Sequence, residues 1–208
     1  MKISILLPFK ENFSPSYAGA VSLFVNETIK ISKYKNNTYI YGNTKFKNTF
    51  NLNYVNIKSS TNFLQSQNKD YVNKFIKIER NNKSDLIELH NRPIYLRYLL
   101  NSLSNRNYIL YFHNDPLSIT GSKSIPDRIF LMKNCFKIIF NSNFTKKRFL
   151  EDIKYDFINS EKLTVVNQSA KKNIIRIKNK KKIITFVGKL NRSKGYDLFG
   201  TAVIEILN

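Results

Sequence analysis

The chain has 208 residues, 42% of them hydrophobic, with 12 Tyr and 16 Phe; that excludes a disordered polypeptide and suffices for one full domain, or one domain and part of a second. A single cysteine, Cys135, excludes an internal disulfide framework and fits a reducing compartment. The formal charge of +21, from 35 Lys and Arg against 14 Asp and Glu, has two readings: an anionic partner (nucleic acid, anionic lipid or phosphorylated sugar), or a compositional excess of Lys in a chain also rich in Asn and Ile.

The first apolar run, residues 3–7, is too short for a signal peptide, and Pro8-Phe9-Lys10-Glu11 ends it without a small-residue cleavage site. No stretch reaches the roughly 18 apolar residues of a membrane helix, so a cytoplasmic chain is expected. The run reads as a strand. A loop follows at residues 13–20, and then a helix over 20–33 with Val21, Phe24, Val25 and Ile29 on one side. Further short apolar runs lie at residues 39–41, 54–57, 86–89, 109–112, 138–140 and 163–166. Most lack strict alternation, as strands buried on both faces do. A second helix is predicted over 143–153 behind the capping residues Ser142-Asn143. Cys135 sits in an apolar-rich run without a flanking histidine, which reads as a buried structural thiol.

Residues 171–182 are crowded with Lys, Asn and Arg and read as a basic linker. A strand is predicted at 183–187, then Gly188, then a helix over 194–207 with Leu198, Phe199, Ala202, Val203 and Ile206 on one face. Strands alternating with helices predict an α/β fold: a Rossmann-like, mostly parallel sheet with helices on both faces over residues 1–170. One βα unit, 183–208, follows; a single unit cannot close a sheet, so the second domain is expected to be truncated.

In such a sheet ligands bind beyond the carboxyl ends of the strands. Both histidines of the chain lie there. His90 precedes Asn91-Arg92-Pro93, and His113 precedes Asn114-Asp115-Pro116. Each either faces a ligand or caps a turn; His113 is the stronger candidate, with His90 and Asn114 secondary. Gly19 opens the first helix, where backbone approaches a ligand and the helix end favours phosphate, or where the chain simply turns. At Phe186-Val187-Gly188-Lys189-Leu190-Asn191-Arg192-Ser193-Lys194-Gly195, three cations follow a glycine within six positions: a site for a diphosphate, or a solvated basic loop. Zinc clusters, a G-x-S-x-G elbow and nucleic-acid motifs are absent, and no metal is predicted.

Together these segments resemble family 4 retaining glycosyltransferases of the two-Rossmann (GT-B) type. Residues 186–199 are similar to the start of their C-terminal domain: a strand, G-R-L, then K-G and a helix. Asp85-Leu86-Ile87-Glu88-Leu89-His90-Asn91-Arg92-Pro93 and Tyr111-Phe112-His113-Asn114-Asp115-Pro116-Leu117-Ser118 resemble N-domain segments of bacterial members that build lipopolysaccharide or related surface glycans. The resemblance implies an acceptor-side domain over 1–170 and the start of a nucleotide-sugar-binding domain over 183–208. It implies transfer of a sugar, with retention, from a nucleotide-diphosphate sugar to a surface-glycan or lipid-linked acceptor, with no cofactor. Gly19 would face donor and acceptor. His113 would be catalytic, contacting the donor sugar, and Lys189 and Lys194 would touch the diphosphate. A basic N-domain face would hold the enzyme at the inner face of an anionic membrane, and nucleic acid is not an expected partner. The family pattern is departed from at Ala18-Gly19-Ala20, where paired glycines are usual, at Lys189 for Arg, and at Asn167-Gln168 for Asn-Gly. The E-x7-E segment is not reached by residue 208, so this chain alone is expected to be inactive. The rival reading is a non-catalytic basic binding module for nucleic acid or anionic glycan. On the transferase reading His113 is a rim residue that buries little, so replacing it should lower turnover rather than stability.

Overall fold

The structure is a computed structural model that describes residues 1–58, 66–168, 183–188, 190 and 192–207. Seven strands form one sheet: β1 (Ile3–Leu6), β2 (Thr38–Gly42), β3 (Tyr54–Asn56), β4 (Leu86–His90), β5 (Asn107–Phe112), β6 (Lys137–Phe140) and β7 (Leu163–Val165). All the pairings are parallel and the order is β3-β2-β1-β4-β5-β6-β7. The expected Rossmann-like sheet is formed. Central β1 pairs on both edges, Ile5 lying opposite Ile40 on β2 and Glu88 on β4.

The helices are α1 (Ala20–Lys30), α2 (Gln67–Asn82), α3 (Ile94–Leu100), α4 (Ile125–Asn134), α5 (Asn143–Leu150) and α6 (Tyr196–Leu207). Strand side chains alternate between the two faces. Ile3, Ile5 and Leu7 meet Val21, Val25 and Ile29 of α1 on one face. Leu6, Leu89, Leu110 and Phe140 meet α2 to α5 on the other, through Phe75, Leu99, Leu131 and Phe149. Helix α5 stops short of the predicted residue 153: the backbone leaves the helix at Glu151, where ψ is 127°, and Asp152 then adopts a left-handed φ of 61°. Cys135 is 1% exposed, and burial pushes its thiol up to about 12, which makes it inert at neutral pH.

At the amino end of the sheet a buried carboxylate ties three elements together. Glu79 on α2 accepts from Ser4 Oγ of β1 at 2.6 Å, from the Ser84 amide at 2.7 Å and from Asn82 Nδ2 at 3.2 Å. It is 0% exposed, and Arg106 stands 4.0 Å away.

Residues 170–208 form a separate compact unit. Its described part holds α6, with the Phe199 ring centroid 5.4 Å from that of Phe186. The strand expected at 183–187 is not formed: these residues pair with no strand among the described residues. An extended segment needs a neighbour to complete its ladder. The basic linker at 171–182 lies outside the described residues.

Candidate functional site

Strand order reverses between β1 and β4: connections from β1 run outward one way and those from β4 the other. Such a switch point opens a crevice at the carboxyl ends of the strands. His90 is the last residue of β4, and His113 follows β5 directly. In the register, His90 lies opposite Tyr111, which puts His113 one step diagonally away on the same face.

The two histidines touch. His90 Nδ1 and His113 Nε2 are 2.8 Å apart. His90 Nε2 lies 2.7 Å from Glu88 Oε1, and His113 Nδ1 lies 2.6 Å from the amide nitrogen of Gln168. The ends of this chain fix its protons. An amide nitrogen only donates, so His113 Nδ1 accepts and the His113 proton sits on Nε2. That proton is donated to His90 Nδ1, which places the His90 proton on Nε2, facing the Glu88 carboxylate. The polarity therefore runs from Gln168 through His113 and His90 to Glu88, with the His113 imidazole neutral. Burial, and then the neighbouring His90, lower the His113 pKa from 6.5 to about 3.

Packing holds the rings in place. Tyr111 stacks on His90 at 4.8 Å and on His113 at 6.0 Å. Phe24 of α1 presents its edge to His113 at 5.0 Å. Asn91, in a left-handed turn with φ of 50°, accepts from the amide of His113 at 2.8 Å and from that of Asn114 at 3.3 Å. Asn141 donates to the His113 carbonyl at 2.9 Å. His90 is 0% exposed, a core residue rather than a rim residue. His113 is half-buried. The expectation that His113 buries little is thus corrected: both its ring nitrogens and its backbone are tied.

Gly19 does open α1, but an anion already occupies that helix end: Glu11 Oε1 accepts from the Ser22 amide at 2.9 Å, and a side chain at position 19 would overlap the Glu11 carboxylate. Asn114 lines a cleft of about 770 Å³, whereas His113 lies in the wall of a separate, shallow recess with Asn141 and Gln168. Lys194 belongs to the second unit, on the turn before α6, and Lys189 lies outside the described residues. Asp115 is engaged structurally, accepting from the Leu117 amide at 3.0 Å and pairing with Arg148 at 3.1 Å. Glu88, Asn91, Tyr111, Asn141 and Gln168 were not picked out from sequence; a lone acid inside the apolar run Leu86-Ile87-Glu88-Leu89 was the available signal. Among the described residues no three His, Cys, Asp or Glu side chains converge as a metal site would require, and no helix is long and apolar enough to cross a membrane.

No family model matches the chain, and no curated protein matches its sequence. Solved structures match its fold. Anabaena HepE, crystallised with UDP-glucose, aligns with a TM-score of 0.54 at 13% identity, over 80% of this chain and 44% of that one. A glycosyltransferase from Rickettsia africae ESF-5 aligns at 0.53 and 13% identity, over 80% and 43%. UDP-N-acetylglucosamine 2-epimerase from Rickettsia bellii aligns at 0.50 and 6% identity, over 79% and 44%. The chain spans less than half the length of these proteins, and at such identities the likeness is one of fold.

Proposed function

We propose that this chain is the acceptor-side part of a retaining glycosyltransferase that moves a sugar from a nucleotide-diphosphate sugar to a surface-glycan or lipid-linked acceptor, as in lipopolysaccharide assembly. Residues 1–170 are its acceptor domain, 171–182 a linker, and 183–208 the start of the nucleotide-sugar-binding domain, where Lys189 and Lys194 neutralise the diphosphate. It works in the cytoplasm, at the inner face of an anionic membrane.

The observation that carries this reading is the oriented, neutral His113 at the carboxyl edge of a Rossmann-like sheet, in a fold shared with a UDP-glucose complex. His113 Nδ1 is the outward end of the chain, and its partner Gln168 is exposed. A donor-sugar hydroxyl replacing the Gln168 amide finds an acceptor whose tautomer is set from behind by His90 and Glu88. A neutral imidazole suits this task, because an imidazolium has no lone pair to offer. The ring does not move the glycosyl group; it orients the sugar while the diphosphate leaves.

With two histidines, the protein gives two ring signals in an NMR spectrum. The His113 signal is assigned by its loss in His113→Gln. Millimolar UDP-glucose should shift that signal in the wild-type chain. Unmoved histidine signals across the titration would sink the reading. An oligonucleotide that binds tightly while UDP-glucose does nothing would transfer it to the basic binding module.

A further inference from the structure

The cleft of about 770 Å³ lies over the carboxyl ends of β1, β4 and β5, beside the histidines rather than on them. It sits at the switch point, with Phe9 and Lys10 coming from the loop after β1, Arg92 from that after β4 and Asn114 from that after β5. Its size is that of a small-molecule site. Its lining residues include two cations, several amides and hydroxyls, and the aromatic faces of Phe9 and Tyr98, but no carboxylate. Neither Lys10 nor Arg92 has an ion-pair partner among the described residues. Three carboxylates close in sequence to lining residues are engaged elsewhere: Glu11 with the Ser22 amide, Asp70 in the first turn of α2 with Lys74 at 3.0 Å, and Asp115 with Arg148.

The cleft is built rather than incidental. Beneath it the Tyr95 side chain is 0% exposed, and its hydroxyl accepts from the Phe9 amide at 3.1 Å and donates to Asn68 Oδ1 at 3.1 Å. One buried hydroxyl therefore sets two of the lining residues. Phe9 is further held edge-on to Tyr71 at 5.5 Å. Arg92 is braced by a bond from Nη1 to the Asn91 carbonyl at 2.9 Å, and Asn91 also holds the backbone of Asn114 at 3.3 Å. The amino end of the 16-residue helix α2 opens on the same space, and its N-cap Ser66 makes no side-chain capping bond. That end of a helix favours an anion.

We infer that this cleft binds a phosphorylated saccharide, with Lys10 and Arg92 taking the phosphate, the amides of Asn68 and Asn114 the hydroxyls, and Tyr98 a sugar face. Two unpaired cations match the double charge of a phosphate monoester better than the single charge of a sugar carboxylate. As a phosphate site the cleft stands on its own; as the acceptor site it rests on the transferase reading above.

The same chemistry could come from the donor diphosphate, so the experiment has separate arms. Titration calorimetry and amide NMR at low salt use glucose 1-phosphate as the probe, with glucose, glucuronate and UDP as comparisons. Glucose 1-phosphate should shift the amides of Asn68 and Asn114 and leave the His113 ring unmoved. Glucose and glucuronate should each bind about tenfold or more weakly, the scale of one charge-assisted bond. Saturating UDP should leave glucose 1-phosphate binding unchanged. Lys10 is exposed, so Lys10→Gln spares the fold and should weaken the phosphate sugar about tenfold. Arg92→Gln should do the same where its melting curve shows a folded protein. Unchanged affinity in Lys10→Gln, equal binding of glucuronate, or competition by UDP would each overturn the assignment. Loss of this site with an intact UDP-glucose response at His113 removes the acceptor class alone; the converse removes the transferase reading and leaves the phosphate site.

Discussion

Replacing His113 with Gln tests the neutral relay through stability rather than activity. Glutamine at this position can still accept from Gln168 and donate to His90, but it cannot take up a proton. In the wild type the folded pKa is about 3 and the unfolded value is 6.5. Between those values only the unfolded chain binds the proton, so the contribution of His113 to stability is complete above pH 6.5 and is lost as pH falls toward 3. Going from about pH 7.5 to about pH 5 moves roughly 1.5 units below the unfolded value, and at about 1.4 kcal/mol per unit that is ~2 kcal/mol. Other groups titrate in the same window, so the quantity to read is the difference between the two proteins. Urea unfolding at both pH values should show the wild type losing ~2 kcal/mol more than His113→Gln. Equal losses would mean that His113 protonates in place and that the proton order deduced for the chain is wrong. His113→Ala should be worse than Gln at every pH, because it strands the buried His90 Nδ1. An effect on turnover therefore has to be judged against a measured loss of fold.

Two other substitutions probe the frame around the site. Glu79→Ala takes the buried carboxylate acceptor from the Ser4 hydroxyl and the Ser84 amide and should cost about 3–5 kcal/mol in a urea titration; a loss under about 1 kcal/mol would show that water replaces the carboxylate. Gly19→Ala should displace the Glu11 carboxylate from the Ser22 amide at a cost of about 1 kcal/mol. That cost should vanish in a Glu11→Ala background, so additive effects in the double mutant would argue against the collision.

The strands were legible because a parallel sheet covered on both faces writes its strands as short apolar runs, as at Leu86-Ile87 and Leu110-Tyr111-Phe112. Three helices were not. In α2 the apolar residues Tyr71, Val72, Phe75 and Ile76 recur with helical spacing inside an otherwise polar stretch, and the polarity masked the stripe. In α4 the signal was local instead: Ser124 accepts from the Asp127 amide, and Pro126 occupies the first turn. The places of His90 and His113 could be read from their strand ends. Their contact could not, since it depends on β4 and β5 being neighbours in a given register. Gln168 stands 55 residues from His113, and its place beside a strand end, where Asn-Gly is the usual pattern, did not point to the histidine. The occupied end of α1 was equally hidden, because only the folded loop brings Glu11 back onto the helix.

The central position of β1 also sets a schedule for synthesis. Its first neighbour, β2, begins at Thr38, but its second, β4, begins only at Leu86. At about 5–20 residues per second, the intervening stretch of roughly forty residues takes on the order of 2–9 seconds to translate. Through that interval one edge of an apolar parallel strand, Ile3–Leu6, has no partner from its own chain. An unpaired edge recruits any strand it meets. The vulnerable moment for this protein is therefore on the ribosome, before residue 86 has emerged, and slowed translation across residues 43–85 should lower the soluble yield.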